Sequence, residues 1–254
     1  MNAQSLLDAL LQANPAGATQ SRVNHAAGPQ GLASPGSPLA GILGGLAETA
    51  GGLFNVGRER VQRGDPAAIG GLGALAGLVL GGRGGALGGG ALALLGSLAY
   101  SVLKKAGGEA GPVPPEQLER EAPLGLRPAA SPAEDVAVED AARLIIAAMV
   151  SAAKADGAID GAEMGRLMSK VKEAGADAED QAFLLGELQK PVDLEGLIRS
   201  VTTPEAAAQV YAASLLAIEV DTPAEVDYLR RLADGLGLSP DVVQEIHNTL
   251  GVSV

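Results

Sequence analysis

The sequence contains no cysteine and no tryptophan. The lack of cysteine excludes disulfide bonds, thiolate nucleophiles and zinc–thiolate sites. Two histidines, His25 and His247, leave little material for histidine catalysis, and His247 is expected to be a surface or hydrogen-bonded residue. Aromatic residues make up only 2% of the 254 positions. Because aromatic and β-branched residues dominate strands, a core built mainly from alanine, leucine and glycine predicts a helical protein.

Basic residues are also scarce, since 18 Lys and Arg face 30 Asp and Glu, which gives a net charge of −12. Binding to nucleic acid needs clustered basic residues that neutralise phosphates, so the composition argues against nucleic acid as a main partner. Most of the acidic residues follow Glu109. The C-terminal part is therefore predicted to be a strongly acidic body.

Composition divides the chain into four parts. Proline and glycine are concentrated before position 132, whereas helix-forming residues dominate after it. The N-terminal residues carry no basic, long apolar stretch of the kind found in secretory signals, so we expect a short helix there instead. The predicted parts are short N-terminal helices with a flexible linker over 1–66, a glycine-rich membrane segment over 67–103, a Pro/Gly-rich linker over 104–131 and a helical domain over 132–254.

The glycine-rich segment carries glycines at a constant step of four residues. On a helix this spacing keeps them near one face, which allows the close backbone approach typical of paired membrane helices. We therefore predict that this face packs against the second arm of a hairpin or against another copy of the chain. The glycines of this stripe are Gly73, Gly77, Gly81, Gly85 and Gly89.

The same segment is predicted to associate with a lipid bilayer. Residues 84–103 match the roughly 20 apolar residues that a helix needs to cross the hydrocarbon core. Arg83 argues against one long helix centred on it, because a central arginine costs about 2.5–3.5 kcal/mol on insertion scales. Two arrangements remain, a single crossing with Arg83 near an interface and a hairpin that turns at 81–85. The hairpin would place the flanking basic residues, and the C-terminal domain, on the cytoplasmic side.

Helix-start signals recur after residue 130. Ser131 and Thr222 are each followed by proline, with Glu134 and Glu225 three residues after the cap, as in N-terminal capping motifs. Together with the helical spacing of apolar residues, these signals predict an all-α bundle of about seven helices. The predicted helices cover roughly 132–155, 160–174, 178–190, 194–200, 204–219, 223–236 and 240–250.

Two acidic turns carry the candidate metal ligands. The first turn matches the second half of a calcium-binding EF-hand loop, but Ala152 and Lys154 stand where the first carboxylate ligands would be. The second turn looks like a repeat of the first. If the two turns meet in space, their carboxylates would bind a divalent cation, calcium or magnesium. These residues are Asp156, Asp160, Glu163, Asp221 and Glu225.

Helix capping is the alternative role for the same side chains. Asp160 with Glu163, and Thr222 with Glu225, each have the spacing of a capping box, in which cap and N3 side chains satisfy exposed backbone N–H groups. Capping and metal binding both remain open at the level of sequence.

Three stretches resemble the TerB-like domain of tellurite-resistance proteins. They are Ala-Asp-Gly-Ala-Ile-Asp over 155–160, Val-Asp-Thr-Pro-Ala-Glu over 220–225 and Tyr-Leu-Arg-Arg-Leu-Ala over 228–233. The whole layout resembles the YebE-type bacterial inner-membrane proteins, whose function is uncharacterised. The resemblance implies an all-helical domain, an acidic face proposed to bind metal, location at the bacterial inner membrane and no known enzyme activity.

From these features we expect a membrane-associated bacterial protein that presents an acidic TerB-like module for protein interaction or divalent-metal sensing. The alternative is a structural membrane protein that self-assembles through the glycine stripe and binds no ligand. We do not expect an enzyme, because no catalytic base with an open metal site can be named. The protein partner is not identified by the sequence.

Overall fold

The computed structural model describes residues 2–13, 17–28, 30–32, 34, 37, 90–108, 131–157, 159, 161–173 and 175–252. Within these residues the chain forms ten helices and no strand, which confirms the predicted all-α fold. The last seven helices lie within two residues of their predicted bounds. The helices are α1 (Ala3–Ala13), α2 (Gly17–Ala27), α3 (Gly90–Ala106), α4 (Pro132–Ala153), α5 (Gly161–Glu173), α6 (Ala178–Gln189), α7 (Leu194–Arg199), α8 (Pro204–Ala217), α9 (Pro223–Gly235) and α10 (Pro240–Leu250).

Local capping explains where most of the C-terminal helices begin. The hydroxyl groups of Ser131, Thr203 and Ser239 accept hydrogen bonds from backbone N–H groups three residues later, at 3.3, 3.1 and 3.4 Å. Each cap is followed by proline at the first helical position, where its fixed φ suits the helix and its missing N–H removes no bond. At the other end of the chain, Gly251 closes α10 in the left-handed conformation, with φ of 66°.

Helix α8 forms the centre of the body. Every residue from 207 to 216 is buried, and α8 contacts α4, α3, α9, α2 and α10. Its alanines allow neighbouring helices to approach closely, while Leu215 and Leu216 are fully buried among them. The core is therefore assembled around a helix that has no solvent-facing side over most of its length.

Helix α3 comes from the end of the segment predicted to lie in a membrane. Its twelve residues from 91 to 102 are all buried, and the helix packs against α8, α10 and α1. It continues past position 103, the predicted end of the membrane segment. A helix that is apolar on every side suits a protein core as well as a bilayer, so composition alone does not distinguish the two. The glycines of the stripe, at 73–89, lie outside the described residues, and their pairing stays a prediction.

No helix in the part of the chain that the structure describes is both long enough and apolar enough to cross a bilayer.

The two N-terminal helices complete the body. The backbone N–H of Asn2 donates to Asp180 Oδ1 at 2.8 Å, and that of Ala3 donates to both carboxylate oxygens of Glu139 at 3.0 Å. These carboxylates thus satisfy donors at the start of α1 and complement its dipole. Helix α2 closes the end of α8, where Thr19 Oγ1 donates to the carbonyl of Leu216 at 2.7 Å. Helices α1 and α2 therefore belong to the same folded unit as the C-terminal helices.

Candidate functional site

The predicted metal ligands lie in the turns before α5 and α9. Asp156 is exposed in the turn that follows α4, and Asp221 is exposed in the turn that precedes α9. Asp160 lies outside the described residues, and for Glu163 only the backbone, within α5, is described. The structure therefore describes the side chains of three of the five candidates.

Glu225, the fifth candidate, is buried and serves as a helix cap. Its Oε2 accepts hydrogen bonds from the backbone N–H groups of Asp221 at 3.2 Å and Thr222 at 3.0 Å, and from Thr222 Oγ1 at 2.8 Å. The backbone N–H of Glu225 in turn donates to Thr222 Oγ1 at 3.2 Å. This reciprocal arrangement is a capping box. The predicted capping role of Thr222 and Glu225 is thus confirmed.

The described side chains do not form a metal site. Among the described residues no three His, Cys, Asp or Glu side chains come close enough together to hold a metal ion. The structure brings Asp221 and Glu225 together through the backbone N–H of Asp221, but it does not group Asp156 with them. Convergence of all five carboxylates on calcium or magnesium stays a prediction, because two of the side chains lie outside the described part.

A groove lies between helix α9 and the segment that joins α6 to α7. Its volume is about 470 Å³, and both apolar and charged side chains line it. Val192, on one wall, is 44% exposed. The residues that line the groove are Lys154, Ala155, Val192, Asp193, Leu194, Glu195, Ala224, Asp227, Tyr228 and Arg231.

Two of the charged side chains in this groove are held by interactions with helix ends. Lys154 Nζ donates to the backbone carbonyls of Leu188, at 3.0 Å, and Lys190, which lie at the end of α6. Asp193 caps α7, because its Oδ1 accepts from the backbone N–H of Gly196 at 2.8 Å. Such contacts hold the charged groups in place without a ligand, so the groove is largely pre-formed.

A second groove, of about 410 Å³, lies on the other side of Asp227. It includes Asp221, Arg230 and Val226, which is 42% exposed. Arg230 pairs with Asp227 at 2.5 Å, so the ridge between the two grooves carries an ion pair. The exposed side of α9, together with the two grooves that flank it, is called the α9 surface below.

Tyr211 and His247 form a buried pair that joins α8 to α10. The phenol oxygen of Tyr211 lies 2.9 Å from His247 Nε2, and the two rings stack with centroids 5.8 Å apart. Burial, and secondarily the positive charge of Arg22, lowers the pKa of His247. Burial also raises the pKa of Tyr211 to about 12. The neutral imidazole can thus accept from the tyrosine hydroxyl, which confirms the expectation of a hydrogen-bonded histidine.

Sequence reasoning missed several residues that organise the body. Arg22 donates to the carbonyls of Leu215 and Ile218 at the end of α8, and Asp8 accepts from the backbone N–H of Ala91 at the start of α3. The only signal was compositional, since Asp8 and Arg22 are the first two charged residues of the chain. The exposed valines of the α9 surface left no signal, because their exposure depends on how distant helices pack.

Comparison with known proteins places the chain in a family. The family described as "Protein of unknown function (DUF533)" matches residues 62–250. An "Uncharacterized protein in ampR 5'region" from Yersinia enterocolitica is 28% identical over 105 residues, which cover 41% of this chain and 76% of that protein. No solved structure matches the chain. Because the matched residues cover well over half of the sequence, the chain belongs to the DUF533 family, a family of TerB-like domains of unknown function.

Proposed function

We propose that the chain is a non-enzymatic protein of the bacterial inner membrane whose helical body binds another protein through the α9 surface. The observation that carries the proposal is the position of the exposed apolar side chains. Four large apolar residues of the described part are exposed, namely Val136, Leu185, Val192 and Val226. Two of these four border the adjoining grooves of the α9 surface. Apolar side chains beside a pre-formed groove with a charged rim are typical of contact sites.

Charge indicates what kind of partner fits the α9 surface. Asp193, Glu195 and Asp221 contribute carboxylates to the two grooves. Of the two basic side chains in the larger groove, Lys154 is already bound to the carbonyl end of α6. Residues 109–254 carry 26 acidic and 11 basic side chains. A protein segment with an apolar residue between basic ones would complement this surface.

The same contacts favour protein binding over metal sensing. Glu225 Oε2 already accepts three hydrogen bonds, so a cation would have to compete with the capping of α9. Asp221, by contrast, is exposed and lies in the smaller groove, where it is available to a basic partner. These contacts support the proposal that the turn before α9 contributes its shape and its negative charge to the α9 surface.

Association with the membrane is proposed from the sequence of residues 67–89. Arg83 is the only charged residue in this stretch of 23 residues. Basic residues precede this stretch at Arg58, Arg60 and Arg63, as expected for a segment whose first end faces the cytoplasm. The resemblance to the YebE-type inner-membrane proteins supports the same location.

Site-specific photo-crosslinking tests the proposed protein contact. We expect a photoreactive phenylalanine analogue at Val192 to give a discrete crosslinked product in cells, and the additional change Val226→Arg to remove it. Val136 provides the matched control, because it is an exposed valine on α4, away from both grooves. Equal crosslinking at Val136 and Val192, or a product unaffected by Val226→Arg, would contradict binding at the α9 surface.

Flotation with lipid vesicles tests the proposed membrane association. The intact protein is expected to float with vesicles made of phosphatidylethanolamine and phosphatidylglycerol. Deletion of residues 67–89 leaves 29 residues between Ser37 and Gly90, which preserves a long connection to α3, and is expected to reduce flotation. An intact protein that stays in the unbound fraction would refute the membrane part of the proposal.

A further inference from the structure

Helix α3 has no polar face. Its buried residues run without interruption from 91 to 102, and twelve residues cover more than three turns of a helix. Every direction around this part of the helix is therefore covered by protein. Helices that are apolar all round occur either inside a protein core or across a bilayer.

We propose that α3 is a lipid-binding helix that the body holds in its core: it leaves its place among α1, α8 and α10 and enters a bilayer, while α9 stays outside the lipid. This inference rests on the proposed membrane association and adds which described element enters the lipid. The hydrocarbon of a bilayer offers α3 the same apolar surroundings that it has in the body.

The contacts of α3 with the body support an exchange of this kind. Two polar contacts lie at the ends of the helix, and a third joins the hydroxyl groups of Ser37 and Ser101. Asp8 Oδ1 accepts from the backbone N–H of Ala91 at 2.5 Å, and Lys105 pairs with Glu245 at 2.5 Å. Between the ends the contacts are mainly apolar, and the buried hydroxyl of Ser97 has no hydrogen-bond partner among the described residues. Few polar interactions therefore have to be replaced when α3 changes its surroundings.

The sequence around α3 matches the requirements of lipid. Residues 84–103 carry no charged side chain, and about 20 such residues suffice to cross the hydrocarbon core. Lys104 and Lys105 follow directly. At a membrane surface these lysines would meet anionic headgroups, which would take the place of Glu245 as the partner of Lys105.

The connections on both sides of α3 are long enough for the movement. Between Ser37 and Gly90 lie 52 residues, and between Gly108 and Ser131 lie 22. At roughly 3.3 Å per extended residue, the shorter connection reaches about 70 Å, more than the ~30 Å thickness of the hydrocarbon core. The length of the connection therefore does not by itself hold α3 close to α4.

Tryptophan fluorescence with brominated lipids tests the proposal, since the chain has no tryptophan of its own. Tyr100→Trp places a probe on α3, and Tyr228→Trp places one on α9 as the matched control, because both tyrosines are buried. In vesicles of phosphatidylglycerol with brominated acyl chains, we expect loss of emission from the α3 probe and unchanged emission from the α9 probe. Leu103→Trp, at a half-buried position near the end of α3, is a second probe in case Tyr100→Trp perturbs folding.

A reversible lock separates movement of α3 from binding through other segments. The hydroxyl oxygens of Ser37 and Ser101 are 3.2 Å apart and buried, so the double change Ser37→Cys and Ser101→Cys places two thiols within reach of a disulfide. Oxidation is expected to abolish quenching of the α3 probe, and reduction is expected to restore it.

Three other outcomes would overturn the inference, and they can be told apart. Flotation without quenching of either α3 probe would refute the movement of α3 while leaving membrane association intact. Quenching of the α3 and α9 probes alike would show that the whole body enters the lipid. Absence of flotation would refute both the movement and the membrane part of the proposed function.

Discussion

Replacing Glu225 by alanine tests whether the acidic turn before α9 is held by capping or by a metal ion. The change removes the acceptor for three hydrogen bonds, from the backbone N–H groups of Asp221 and Thr222 and from Thr222 Oγ1. Capping requires no cation. We therefore expect the loss of stability in EDTA to equal the loss in calcium or magnesium.

The magnitude follows from these contacts. A hydrogen bond to a charged group contributes about 1.5–3 kcal/mol, and removal of a helix cap costs about 1 kcal/mol. Because the turn is only partly buried, the released N–H groups regain some hydration, so we expect Glu225→Ala to lower the free energy of unfolding by about 2–3 kcal/mol. For a body of this size that corresponds to a fall in Tm of roughly 5–10 °C.

Thermal and urea unfolding followed by circular dichroism measure the effect. Glu225→Gln keeps one acceptor oxygen and is expected to cost about 1 kcal/mol. Asp221→Asn is the control, since this side chain is exposed and the change is expected to stay within about 0.5 kcal/mol. Wild-type stability of Glu225→Ala in EDTA would refute the capping argument. A loss that Asp221→Asn shares, and that appears only with cation, would instead establish a metal site.

Three further predictions concern other parts of the body. Burial lowers the pKa of His247 from 6.5, so the unfolded state binds more protons than the folded state just below that pH. The free energy of unfolding is therefore expected to fall as pH decreases through about 6.5. Urea midpoints at several pH values measure this fall, and His247→Gln is expected to reduce it. Gly90→Ala would place a Cβ atom 2.0 Å from the Asp8 carboxylate, and we expect a loss of about 1–3 kcal/mol from overpacking; unchanged unfolding would contradict the described contact. Gly251→Ala forces a side chain into the left-handed conformation and is expected to cost about 1 kcal/mol, whereas Gly186→Ala, in open space within α6, is expected to be neutral or stabilising.

The C-terminal helices could be predicted because the interactions that start them are local. The caps at Ser131, Thr203, Thr222 and Ser239 each bond to a backbone N–H three residues later, so a short window of sequence contains the whole signal. The capping role of Glu225 follows from the same local spacing.

The place of α3 could not be predicted in the same way. Its apolar residues indicate only that this helix is buried away from water. They do not distinguish a protein core from a lipid bilayer. The contacts that hold it, from Asp8 to Ala91 and from Lys105 to Glu245, join residues 83 and 140 positions apart. The spacing of apolar residues along the sequence does not predict such long-range contacts. The α9 surface likewise depends on helices that come together only in the folded protein.

The order of the helices along the chain also has a consequence in time. Helix α3 ends at Ala106, and α8, which covers it, begins at Pro204. At about 5–20 residues per second, roughly 5–20 s pass during synthesis between the completion of α3 and the start of α8. During this interval α3 has been synthesised but α8, its main protein neighbour, has not, whereas any nearby bilayer is already present. If α3 binds lipid as proposed, a bilayer near the ribosome would compete with α8 for this helix during synthesis.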